Sequence, residues 1–161
     1  YLQAKPNQSG NKVKIELVDF VTNYTQDDIE DIQENMKAGS RVVIENGQII
    51  KVIKDKNGII QREVLTENWH DWIDYWSVDF DYLSKKEIIR FTNESGQIEE
   101  QWTGNYIFEN EWQSFRTKQN RELEFVSAEH LYAKQGHYKV MVKVVDILGV
   151  DTSQIIDVKI N

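Results

Sequence analysis

Four aspartates crowd one short stretch, Asp71, Asp74, Asp79 and Asp81, inside the string WHDWIDYWSVDFDY at 69–82. Asp79 and Asp81 are two residues apart on an alternating segment, so both carboxylates project from one strand face and could begin a site for Ca²⁺ or Mg²⁺. Hard cations take about six to eight oxygens. Two carboxylates are only a start, and the competing reading is a solvated strand face opposite Trp76, Val78, Phe80 and Tyr82. Glycoside hydrolysis needs a fixed carboxylate separation that sequence spacing does not supply. The histidines, His70, His130 and His137, form neither His-x-x-x-His nor His-Glu-x-x-His, and no Gly-x-Ser-x-Gly elbow occurs. Cysteine is absent, which removes disulfides, thiolate metal sites and cysteine nucleophiles. No catalytic residue is assigned.

Binding chemistry is better represented. The segment WQSFRTKQNR at 112–121 interleaves Arg116, Lys118 and Arg121 with Trp112, Gln113, Phe115 and Asn120. These are the residue types that meet phosphates and unstacked bases. The competing reading is a solvated loop pinned by Trp112 and Phe115. Charge is polarised around it: residues 114–143 carry six basic against three acidic side chains, residues 63–111 three against twelve. Such a basic pole can dock on DNA or on an acidic protein surface. Five tryptophans (Trp69, Trp72, Trp76, Trp102, Trp112) also offer stacking surfaces for sugars or bases. A strand holding Trp69, Trp72 and Trp76 splits them between faces, so at least one is expected to be partly exposed.

The elements that must position these residues are mostly strands. Val13, Ile15 and Leu17 alternate with polar residues, as do Tyr138, Val140, Val142 and Val144. Val42–Glu45, Gln48–Lys54 and Ile59–Thr66 are β-branched runs separated by Asn46-Gly47 and Asn57-Gly58, and Asn-Gly is the strongest short hairpin signal. Further strands are expected at Glu87–Thr92, Gln97–Trp102, Asn105–Phe108 and Ile155–Ile160, with turns at Asn93–Gly96, at Gly104 and at Leu148–Asp151. Asn23–Met36 changes to helical spacing, with Ile29, Ile32 and Met36 on one stripe and Gly39 as its stop. Residues 1–11, with the only proline (Pro6), read as a linker or boundary segment.

With 161 residues and a net charge of −8, whole-surface attraction to nucleic acid is excluded, and any contact is a local patch. No apolar run approaches about 18 residues, so no membrane partner is expected. The chain opens at Tyr1 rather than Met and reads as a piece of something longer. The fold class is mainly β: an antiparallel β-sandwich at 68–161, preceded by a strand–helix–β-meander portion at 12–67.

Two resemblances add to this reading. His130-x-Tyr132-x-x-x-Gly136-x-Tyr138-x-Val140-x-Val142-x-Val144-x-Asp146-x-x-Gly149 resembles the end of PKD-type immunoglobulin-like domains, and SVDFDY at 77–82 lies on that family's aromatic-Asp strand. That resemblance implies a fold role for His130, and a cell-surface adhesion or carbohydrate-binding module as an alternative function. The segments KAGSRVVIENGQIIKVIKDKNG (37–58), LTENWHDWIDYWSVDFDY (65–82), YIFENEWQSFRTK (106–118) and VKVVDILGVDT (142–152) resemble the C-terminal region of large site-specific adenine DNA methyltransferases of restriction–modification systems. One departure is Val150, where Asn is expected in the turn. The catalytic Asp-Pro-Pro-Tyr motif cannot exist in a chain whose sole proline is Pro6. This resemblance implies a non-catalytic accessory domain of a cytoplasmic enzyme, acting in DNA binding or assembly for a parent that carries out the methylation. Its partners are then DNA, the parent's catalytic region or a partner subunit. No cofactor is expected in this fragment, and S-adenosylmethionine belongs to the parent.

Overall fold

The computed structural model describes residues 1–22, 33–45 and 47–161. The chain is mainly β, with 58 % of residues in strands and several antiparallel sheets in the manner of a β-sandwich. In chain order the strands are β1 (Leu2–Ser9), β2 (Lys12–Phe20), β3 (Gly39–Glu45), β4 (Gln48–Lys54), β5 (Ile60–Val64), β6 (Ile73–Asp79), β7 (Lys86–Thr92), β8 (Ile98–Tyr106), β9 (Trp112–Phe115), β10 (His130–Leu131), β11 (Gly136–Asp146) and β12 (Asp151–Ile160). Contacts divide the chain into two compact units, one of Tyr1 with 19–73 and one of 2–18 with 74–161. The division falls within β2 and at the start of β6, away from the expected boundary between 67 and 68.

The larger unit holds the sandwich. One sheet has the order β1-β2-β10 and the other β12-β11-β6-β9. Alternation does what the sequence pattern requires: Val13, Ile15 and Leu17 of β2, and Val140, Val142 and Val144 of β11, are buried, while Lys14, Glu16, Met141 and Lys143 between them are more exposed. Residues 1–11 are not a linker. Leu2 and Ala4 are buried on β1, and Pro6 is tolerated because β1 is an edge strand, where a missing N–H leaves no ladder bond unmade. On β6, Trp76 and Val78 on one face and Ser77 and Asp79 on the other are all buried. The expectation of a solvated Asp79 face fails because Lys85 and the backbone of Glu109 close over that carboxylate.

Three hairpin loops share one design. Asp55-Lys56-Asn57-Gly58, Asn93-Glu94-Ser95-Gly96 and Asp146-Ile147-Leu148-Gly149 each begin with a carboxylate or amide oxygen that accepts two backbone N–H groups ahead of it. Each also closes with the glycine N–H donating to the first residue's carbonyl. The glycines sit at φ +79°, +77° and +84°. The Asn57-Gly58 signal therefore marks a side-chain-braced turn that starts at Asp55 and ends in a left-handed glycine, rather than a two-residue turn. It also explains Val150: positive φ falls on Gly149, so position 150 places no demand for Asn.

Strands β7 and β8 form a separate two-stranded ribbon. Gly104 (φ +90°) lies within β8, not between two strands, and the register shift between Lys86 and Ile88 marks a bulge opposite it. In the smaller unit, β3, β4 and β5 form the expected meander, with Val43, Ile50 and Val52 clustered against Met36. The helix expected over Asn23–Met36 lies, except for helical residues 33–35 at its end, outside the described residues.

Candidate functional site

The segment 112–121 is a strand followed by a braced loop. Trp112 enters the interior edge-on to Trp76, ring centroids 4.7 Å apart, while the Trp76 indole N–H donates to the Glu124 carbonyl at 2.7 Å. Ser114 faces the same interior, and its hydroxyl accepts the Glu124 N–H. Register then puts the neighbours on the opposite face: Tyr75 pairs with Phe115 and Ser77 with Gln113. Trp112 is an anchor, as expected, whereas Phe115 is 52 % exposed and anchors nothing. The loop beyond is held from within, because the Arg116 guanidinium donates to the Arg121 carbonyl and Thr117 exchanges backbone and hydroxyl bonds with Asn120. Lys118 and Arg121 are exposed on it. Arg116 is half-buried and acts first as a brace.

Asp74, Tyr75, Asn110, Gln113, Phe115 and Arg116 line an open cleft of about 390 Å³ on this face. The Asn110 amide donates to the Gln113 side-chain carbonyl. The sequence singled out Gln113, Phe115 and Arg116 of this group, but not Asp74, Tyr75 or Asn110. Tyr75 comes to the cleft only through the pairing of β6 with β9, which no local pattern announces.

The acidic cluster resolves into separate roles. Asp71 accepts the Asn68 N–H at 2.8 Å and closes a short 3₁₀ turn at Trp69–Trp72, where His70 lies 3.4 Å from it. Asp74 lines the cleft. Asp79, fully buried, lies 2.6 Å from Lys85 Nζ, which also reaches Glu111 at 2.5 Å and Glu109 at 3.5 Å. Its two oxygens further accept the backbone N–H groups of Asp81 and Glu109. Burial alone raises the Asp79 carboxyl, but the Lys85 ammonium and these N–H donors outweigh it and hold the group below the ordinary carboxylate value. Burial likewise lowers Lys85, and the bonds to Asp79 and Glu111 override it, so its net shift is upward. An ammonium thus already occupies the Asp79 carboxylate that a cation would need. Among the described residues no group of three or more His, Asp or Glu is arranged to hold a metal ion.

The remaining singled-out residues scatter. His130 stacks flat on Phe80 at 4.6 Å and meets Tyr132 edge-on, and the buried Tyr132 hydroxyl donates to the Phe80 carbonyl at 2.7 Å. His137 is exposed on β11. Trp72 and Trp76 are buried and Trp69 is half-buried, while Trp102 stands 40 % exposed on the ribbon with Lys86 over its ring. Within the larger unit Trp76 and Trp112 pack inward on each other while Trp102 stands on the ribbon, so these three form no common platform.

Comparison with protein-family models, curated proteins and solved structures gives no match for this chain. Among the described residues no helix is long and apolar enough to cross a membrane.

Proposed function

We propose that this chain is a non-catalytic accessory domain of an adenine-specific DNA methyltransferase, and that it helps position that enzyme on DNA. The observation that carries the DNA contact is the loop at 116–121, whose exposed Lys118 and Arg121 sit on a backbone braced by Arg116, Thr117 and Asn120. A braced loop presents cations without the full entropic cost of ordering them on binding. The relation to methyltransferases rests on the strings at 37–58, 65–82, 106–118 and 142–152.

This reading assigns no S-adenosylmethionine site to the chain. Pro6 lies on an edge strand, and glycines 58, 96 and 149 close β-hairpins rather than opening a helix after a strand. Methyl transfer is therefore assigned to another part of the parent. A second reading, a PKD-like adhesion or carbohydrate module, is supported by the Tyr132–Phe80 hydrogen bond, the His130–Phe80 stack and the Asp146 turn.

Fluorescence anisotropy of a labelled duplex of about 20 base pairs tests the first reading. If two or three phosphates are contacted, affinity falls about ten- to fortyfold between roughly 50 and 200 mM salt. Lys118→Glu with Arg121→Glu removes binding while leaving the fold intact. Absence of binding at low salt overturns the DNA contact and leaves docking on the parent's catalytic region or a partner subunit as the accessory role. Stabilisation by calcium or by an oligosaccharide instead supports the PKD-like reading.

A further inference from the structure

We infer that the cleft between Tyr75, Phe115 and Arg116 is a subsite for one unpaired nucleobase of single-stranded DNA. The inference rests on the DNA-binding reading and names what this face adds to the phosphate contacts of the neighbouring loop.

Three observations converge on a base rather than a phosphate. The antiparallel register sets Tyr75 directly opposite Phe115 on the outward face of β6 and β9. Their Cβ atoms are then about 4.5–5.5 Å apart, close enough to act as one aromatic surface. Neither ring stacks on another among the described residues, in contrast to Trp76 and Trp112 on the inward face. A phenyl ring held half in water on a short edge strand is a stacking surface without its stack.

Charge points the same way. One carboxylate, Asp74, and one guanidinium, Arg116, line the cleft, so it has no net attraction for an anion. The uncompensated cations, Lys118 and Arg121, lie on the loop that follows, where a phosphate backbone can run. The planar Arg116 group adds a further surface on which a base can lie.

The amides supply the edge contacts. The bond between Asn110 and Gln113 engages one amide NH₂ group and one carbonyl oxygen, and leaves one whole NH₂ group and one whole carbonyl oxygen of the pair outside it. That remainder is the same whichever way round the two amides are assigned. A neighbouring donor and acceptor match the edge of a nucleobase, as in the pairing of Asn or Gln with adenine. A volume near 390 Å³ admits a nucleoside but not a base pair with its stacked neighbours, so duplex DNA leaves this cleft unused.

The test separates bases from phosphates. The full chain is titrated at about 50 mM salt with a dA strand of about 12 nucleotides, with an abasic strand of equal length, and with a duplex. The dA strand is expected to bind about tenfold or more tightly than the abasic strand. Phe115→Ala is expected to bring the dA strand to the abasic level without changing abasic or duplex binding, and its exposed position leaves the melting temperature in place. Equal binding of dA and abasic strands, or a Phe115→Ala variant that binds dA as wild type does, overturns the base subsite while the phosphate reading stands. Failure of all three nucleic acids to bind overturns both. A shift of the Tyr75 and Phe115 resonances on adding a neutral oligosaccharide, without DNA binding, assigns the aromatic surface to sugar instead.

Discussion

Replacing Lys85 by alanine should reveal how the end of β6 is held. The substitution leaves the buried Asp79 carboxylate without its ammonium and places Glu111 and Glu109 beside it with no cation among them. Removing one partner of a buried pair costs about 3–5 kcal/mol. Lys85 keeps 21 % of its side chain in water and Asp79 keeps two N–H donors, so the cost falls to the bottom of that range or just below it, about 2–3 kcal/mol. For a chain of this length that is a fall of about 4–12 °C in melting temperature. Circular dichroism and tryptophan fluorescence melts measure it, with Trp76 reporting on the sandwich. The double variant Asp79→Asn/Lys85→Met removes both charges and should recover at least about half of the loss.

The pH dependence follows from the two shifts. Asp79 is depressed in the folded chain, so its contribution is complete above the ordinary value of 3.8 and is lost as pH falls through the folded value. Lys85 is raised, so its contribution is complete below 10.5 and is lost as pH rises through its higher folded value. The difference between wild type and Lys85→Ala should therefore be flat across about pH 5–9. A Lys85→Ala protein that melts within about 1 °C of wild type, or a double variant as unstable as the sum of the two single ones, would refute the reasoning.

Other substitutions probe other levels of the structure. Tyr132→Phe removes the buried hydroxyl from the Phe80 carbonyl and should cost about 1–3 kcal/mol in urea unfolding. Burial and the nearby Asp81 and Glu111 charges raise that phenol far above its ordinary value, so its absorbance should show no titration up to about pH 11 in the folded chain. Gly149→Ala forces a left-handed residue at φ +84° and should cost about 1–2 kcal/mol by the same measurement, although no atom obstructs a Cβ there. Ile98, 76 % exposed on the ribbon, should accept Thr with a change within about 0.5 kcal/mol and improved solubility.

The legibility of this chain divides along the range of the interactions. Strands over 12–20 and 136–146 were readable because period-two alternation is a property of neighbouring residues, and the strand over 48–54 because a β-branched run between Asn-Gly pairs is equally local. The three Asx-x-x-Gly loops are equally local, even though Asn57-Gly58 reads first as a shorter turn. Strand β1 was hidden by Pro6, since nothing within residues 1–11 says that they form an edge whose N–H groups need no partner. Strand β9 was hidden by its brevity and polar neighbours, so 112–115 read as part of a loop rather than as a strand paired with β6.

By itself the amino-acid sequence determined a β-rich chain without cysteine chemistry, without the proline motif of base methylation, and with a basic segment at 116–121 set against an acidic body. Tertiary structure alone decided that Asp79 is buried against Lys85, that Phe115 points out while Trp112 points in, and that Tyr75 shares its face. Each of those facts depends on register and on which strand lies inside its sheet. A shift of one residue reverses every side chain, and β6 pairs with β9 across the whole β7–β8 ribbon that lies between them in the chain.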